Sequence, residues 1–305
     1  MNLFVVGNGF DIAHGLKTSY IDFRCYLEEQ DWDYLRSLEE MYGFTIESKQ
    51  EFVENYLWRD FEKNLSLIDE THIIENGESI ELGLESEDIG VEDTLNEYWE
   101  DQYGFIQRLN EFIKLWIKQV NIDADRKTNR ISADTNDLFI TFNYTLLLEK
   151  VYKVDKYNIL HIHGSIDEDY DLSPVIGHGD YSKVIEMKRI SEEVSEEFHE
   201  KKCSIYNAVA NYYDRTFKDV KHFLGINKYF FKRLKNIEEI SIIGHSLGDV
   251  DMPYFKEIKR YVKQDSIWNI YYYDKEKATC FKNKIISIGV DESNIRMLRS
   301  QDFFK

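Results

Sequence analysis

LFVVGNGFDIAHGLKTSY (Leu3–Tyr20) is an apolar run that stops at two glycines and gives way to polar residues. Leu3 to Val6 is short, apolar and rich in β-branched side chains, the pattern of a strand buried on both faces of a parallel sheet. Gly7 and Gly9 lack Cβ atoms, so the chain can turn tightly there and let another group approach its backbone. A helix opening at Phe10 would point its free N–H groups back at that turn, which favours an anion such as phosphate. Two glycines of a G-x-G-x-x-G pattern are present, with Ile12 in the third place, so a tight strand–helix turn that binds nothing is an equal reading.

The same alternation continues along the chain. Further strands are expected at 137–142, 158–162, 239–243, 267–273 and 295–298. Helices are expected at 19–29, 50–68, 95–120, 144–154, 252–263 and 275–288, and over 182–235 with an interruption near Gly225. Residues 69–101 contain no Lys or Arg and many acidic residues, which reads as a solvated, partly irregular insertion. The fold class is therefore α/β: a Rossmann-like parallel sheet with helices on both faces and a helical insertion lobe. The whole chain, 1–305, reads as a single domain of this kind, with helical insertions at about 50–120 and 182–235.

Four strand ends carry polar clusters: Gly7-Asn8-Gly9-Phe10-Asp11, Thr141-Phe142-Asn143-Tyr144-Thr145, His161-Ile162-His163-Gly164-Ser165 and Gly244-His245-Ser246-Leu247-Gly248-Asp249. Parallel strands would bring all four to one edge of the sheet, where ligands of such folds bind. Each cluster has an ordinary structural reading: Asn143 as a helix cap, His163 as a satisfied buried histidine, Gly164 as a turn. Their recurrence at four strand ends favours a site.

Composition narrows the function classes. A net charge of −19 disfavours general nucleic-acid binding, which draws on a basic surface. It leaves room for a small anion held locally by backbone N–H groups. Cys25, Cys203 and Cys280 are scattered and odd in number, which fits a reducing cytoplasm and neither a disulfide framework nor a zinc site. No run approaches the ~18 apolar residues of a membrane span, and no cleavable leader is evident.

Two tempting motifs fit less well. G-H-S-L-G at 244–248 has the form of a nucleophile elbow, but such enzymes place the base histidine after the serine, and no histidine follows Ser246. His161, His163 and His178 could begin a metal site with Asp167 or Asp180, since strand alternation puts His161 and His163 on one face. The acidic partners have no fixed ligand spacing. A metal-dependent hydrolase or nuclease is the first alternative function, and a non-catalytic nucleotide-binding sensor of infection the second.

The motifs VVGNGFDIAHGLKTSYIDF, TFNYTLLLEKVY, HIHGS and IIGHSLGDVDMPYF, in that order, resemble the AbiH family of bacterial abortive-infection proteins. More loosely they resemble the sirtuin-like domains of phage-defence NADases, with a glycine-rich first turn, T-x-N-Y-D, a histidine–glycine pair and G-x-S-x-x-D. The resemblance implies a cytoplasmic antiphage effector that hydrolyses NAD, its substrate, at the nicotinamide–ribose bond. By position it makes Asn143 and His163 catalytic. It places Gly7, Asn8, Gly9 and Asp11 at the pyrophosphate, and Gly244, Ser246 and Asp249 on the ribose and adenine side. The expected partners are a nucleotide and a phage-derived trigger or defence protein, in an oligomeric assembly with no membrane and no resident metal. Two positions depart from the looser pattern: Asp11 stands where G-A-G-x-S has serine, and Thr145 where T-x-N-Y-D has aspartate.

Overall fold

The computed structural model describes residues 1–79, 108–167, 172–196 and 200–305. Six strands form one sheet: β1 (Asn2–Val6), β2 (Leu138–Thr141), β3 (Ile159–His161), β4 (Glu239–Ile243), β5 (Ile267–Tyr272) and β6 (Ile295–Arg299). Their order is β3-β2-β1-β4-β5-β6, and every pairing is parallel. The α/β class and the six expected strands are thus present. Val6 lies level with Thr141 on one side and Ile243 on the other, and Thr141 lies level with His161. The four polar clusters therefore emerge from one edge.

Alternation along the strands builds two cores. Leu3, Val5, Leu138, Ile140, Ile240, Ile242 and Trp268 face one way, against helices Met252–Tyr261 and Lys275–Ser287. Phe4, Val6, Phe139, Ile243 and Tyr271 face the other, where Phe10, Leu147 and Phe303 cover them. Phe4 and Phe139 stack with ring centroids 5.1 Å apart. Fully burying side chains of this size is worth ~1.5–3 kcal/mol each, which makes both faces hydrophobic anchors of the fold.

The chain divides into two compact units. The first, residues 1–19, 114–175 and 219–305, contains the sheet and all four strand-end clusters. The second, residues 20–113 and 176–218, carries helices Tyr20–Gln30, Trp32–Glu40, Glu70–Ser79, Tyr181–Glu196 and Glu200–Arg215. Its interior holds a buried ion pair: Arg24 Nε donates to Glu39 Oε1 at 2.9 Å, and the Trp58 indole N–H donates to the same oxygen at 2.8 Å.

Several helices depart from expectation, each for a visible reason. The segment 50–68 is broken into Gln50–Val53, a π-turn Glu54–Trp58 and Phe61–Asn64. The wider turn buries Leu57 and Trp58 together and leaves Phe52 and Tyr56 exposed. Helix 144–154 shrinks to Leu147–Lys150, because Asn143 and Thr145 are held by long-range hydrogen bonds. The long helical stretch is interrupted at Asn227, next to Gly225 as expected, and also at 216–219, where His178 N donates to the Thr216 carbonyl at 2.9 Å and Lys218 N to the His178 carbonyl at 2.9 Å. Helix Trp32–Glu40, capped by Asp31 accepting from Tyr34 N, and the closing helix Ser300–Phe303 were not expected. Residues 70–79 of the acidic insertion are helical; 80–101 lie outside the described residues, as does 95–107 of the expected helix 95–120. Among the described residues, no helix is long and apolar enough to cross a membrane.

Candidate functional site

The strand order reverses direction between β1 and β4, and the loops that leave these strands meet at backbone distance. Gly7 N donates to the Ile243 carbonyl at 2.9 Å and Gly9 N to the Gly244 carbonyl at 2.8 Å. A Cβ on Gly9 would lie 2.8 Å from Gly244 Cα, and one on Gly7 2.7 Å from the Gly244 carbonyl. Gly244 has φ +65°, and a Cβ on it would lie 2.2 Å from Phe10 N. The glycines of the first and fourth motifs are thus required by each other. The N–H groups of Gly7 and Gly9 therefore both donate within the protein. Asn8 is also turned inward, its Nδ2 donating to the Thr18 carbonyl at 2.7 Å.

Behind this crossing lies a buried polar cluster. Asp11 is 1% exposed. Its Oδ1 accepts from Asn143 Nδ2 at 2.6 Å and its Oδ2 from the Thr145 hydroxyl at 2.5 Å. Asn143 Nδ2 also donates to the Gly7 carbonyl at 3.2 Å, which fixes the orientation of the amide. Burial pushes the Asp11 carboxyl from its ordinary 3.8 up to about 7, against the opposing pull of the Thr145 and Asn143 hydrogen bonds and the His161 charge. Asn143 Oδ1 is buried and finds no partner among the described residues.

His161 completes the cluster. Its Nδ1 lies 3.0 Å from the Asn143 carbonyl oxygen and its Nε2 2.8 Å from Glu149 Oε1. The ring is thus held between a main-chain carbonyl and a carboxylate, which fixes its orientation beside Asn143.

His163 sits elsewhere. Strand β3 ends at His161, so alternation does not carry through to residue 163. The His163 ring is 3% exposed and packs against Phe142, Phe223 and Tyr254, with Nε2 3.1 Å from the Tyr254 hydroxyl. Histidine 161, not 163, hydrogen-bonds the Asn143 main chain. The expectation that His161 and His163 share one face fails for the same reason. Gly164, with φ +89°, accommodates the chain at 172–173: a Cβ there would lie 2.2 Å from the Ser173 carbonyl.

The fourth cluster divides. His245 Nδ1 accepts from Leu247 N at 2.8 Å, which leaves Nε2–H facing Asp251 Oδ2 at 3.5 Å. Ser246 is exposed, and positive φ falls at Gly244 and Leu247, not at the serine. Asp249 is a surface group: its carboxylate is paired with Lys284 Nζ at 2.7 Å, and the same ammonium donates to the Leu247 carbonyl at 2.8 Å. His178 belongs to the second unit, where Nε2 meets the Tyr213 carbonyl at 3.2 Å and Nδ1 accepts from Asp180 N. Among the described residues, no three His, Cys, Asp or Glu side chains gather as a metal-ligand set.

The family model described as bacteriophage abortive infection AbiH matches residues 3–272. The chain belongs to the AbiH family. Its function accordingly lies in bacteriophage abortive infection. A comparison with curated proteins gives no match. The AbiH match runs from β1 to the last residue of β5, and so contains all four clusters.

Thr145, Glu149 and Tyr254 are the residues that reading the sequence did not assign to the site. For Thr145 a signal existed. The looser sirtuin-like pattern has a hydroxyl in the first motif and a carboxylate in the second; here Asp11 and Thr145 carry the reverse. The fold brings the two positions together, the Thr145 hydroxyl donating to Asp11 Oδ2.

Proposed function

We propose that the chain serves abortive infection as a nucleotide hydrolase that acts on NAD at the nicotinamide–ribose bond, with Asn143 as the residue that meets the substrate. The observation that carries this reading is the locked amide: its NH₂ is committed to Asp11 and the Gly7 carbonyl, while Oδ1 has no partner among the described residues. A buried acceptor left unpaired costs ~1–3 kcal/mol, and a ribose hydroxyl or attacking water donating to it recovers that cost. Asp11, Thr145 and the His161–Glu149 pair act through Asn143 as positioning residues. The Rossmann-like strand order supports the reading, since its β1/β4 crossing is where such folds bind dinucleotides. The N–H groups of Gly7 and Gly9 do not suit the pyrophosphate, so no phosphate contact is assigned to them. In the reaction the ribose C1′–N bond breaks and its electron pair passes to the pyridinium nitrogen. Water oxygen bonds C1′, and one proton is released to the medium.

Pure protein incubated with NAD, with and without phage lysate, and analysed by chromatography tests this. Nicotinamide and ADP-ribose should appear with wild type and vanish with Asn143→Ala, whose circular dichroism should still be that of a folded chain. No nicotinamide from the wild type under either condition overturns the hydrolase. Turnover that survives in folded Asn143→Ala overturns the role of Asn143.

A further inference from the structure

A cavity of about 620 Å³ lies beyond the carboxyl ends of β5 and β6, clear of the buried Asp11–Asn143 cluster. Its walls carry Tyr272, Tyr273, Lys275, Lys277 and Arg299. Three cations face one carboxylate there, that of Asp274, which also caps the helix Lys275–Ser287 by accepting from Glu276 N at 2.9 Å. In a chain of net charge −19 this is a local reversal of sign. No ion pair holds Lys275, Lys277 or Arg299 among the described residues. The Arg299 guanidinium lies 5.6 Å from the centroid of the Tyr272 ring, and the Asp302 carboxylate is within electrostatic reach of it. Tyr273 is 86% exposed, a large ring that packing does not explain.

We infer that this cavity binds a mononucleotide, its phosphate on Lys275, Lys277 and Arg299 and its base against Tyr272 or Tyr273. The volume falls in the range of small-molecule sites, ~300–1,000 Å³, and exceeds what a phosphate alone would fill. Arginine and lysine supply charge-assisted hydrogen bonds to phosphate oxygens, and an aromatic face supplies sequence-tolerant stacking for a base. The position is also apt, because open parallel sheets take ligands beyond the carboxyl ends of their strands. Apart from Tyr272, the lining residues lie past the span that matches the family, and none of them belongs to the four clusters.

Calorimetric titration of the full chain with AMP, and separately with inorganic phosphate, tests the assignment. AMP should bind saturably. The double variant Lys277→Ala/Arg299→Ala should weaken it by about tenfold or more, at an unchanged melting temperature. Tyr273→Ala should weaken AMP and leave phosphate unaffected, while Asn143→Ala should leave AMP binding intact. The absence of saturable AMP binding overturns the site, as does equal binding by the double variant. Loss of AMP binding in folded Asn143→Ala places the ligand at the other cluster, and phosphate binding as tightly as AMP removes the nucleotide.

Discussion

Replacing Asp11 with asparagine isolates the electrostatics of the buried cluster. Burial raises the Asp11 carboxyl from 3.8 to about 7. Between those two values the folded chain holds the proton more tightly than the unfolded chain. Stability therefore falls as pH rises from 3.8 through 7, and the cost is fully present above that range. At about 1.4 kcal/mol per unit, the roughly three units amount to about 4 kcal/mol. Roughly two-thirds of it, about 3 kcal/mol, develops between pH 5 and pH 8. Asparagine mimics the neutral acid: its Oδ1 can accept from the Asn143 amide and its NH₂ can donate to the Thr145 oxygen, whose hydroxyl rotates. All other titrating groups are common to both proteins, so they cancel in the difference. Thermal melts followed by circular dichroism from pH 5 to pH 8 should show the advantage of Asp11→Asn widening by roughly 5 °C or more. Parallel curves for the two proteins would refute the raised carboxyl and the argument built on it.

The exchange between Asp11 and Thr145 makes a second test. Thr145→Asp alone sets two carboxylates against each other and Asp11→Ser alone removes the acceptor, but the double variant restores the pair in reverse, with a coupling of ~0.5–3 kcal/mol in urea unfolding; purely additive losses would show that the two side chains do not act as a unit. Gly244→Ala should cost on the order of 3 kcal/mol or more, from the left-handed backbone and the contact with Phe10 N, and an unchanged urea midpoint would contradict the loop contact. His163→Ala should lose ~3 kcal/mol by emptying a ring-lined space, whereas an exposed cleft residue would leave the melt in place. Glu39→Ala leaves the buried Arg24 guanidinium with Glu28 alone, removes the acceptor of the Trp58 N–H and should cost ~1–3 kcal/mol, which chemical denaturation reads directly.

Much of the fold is legible in the sequence because its signals are local. The apolar runs at 3–6, 138–141 and 239–243 announce buried strands, and polar residues crowd their carboxyl ends. The roles of Gly7, Gly9 and Gly244 are not local. A glycine that frees a turn for phosphate and one that admits another loop look the same until β4 is known to lie beside β1. His161 and His163 were separable only by where β3 stops, a one-residue matter that decides which ring meets Asn143. Phe52 and Tyr56 stand at helical spacing from Phe61 in the sequence, yet they are exposed because a π-turn changes the helical period, and composition carries no mark of that change. Asp11 and Thr145 are each visible as departures in the sequence, yet only the fold shows that they are in contact.

The central place of β1 in the sheet also bears on how the protein is made. Its edge partners begin at Leu138 and end at Ile243, so during synthesis Leu3–Val6 waits for ~240 further residues before both of its edges can be paired. At ~5–20 residues per second, synthesis of the intervening ~240 residues takes roughly 10–50 s. Over that interval Leu3–Val6 has both backbone edges open until β2 emerges and one edge open until β4 does, the kind of segment that pairs with a neighbouring nascent chain on a crowded polysome.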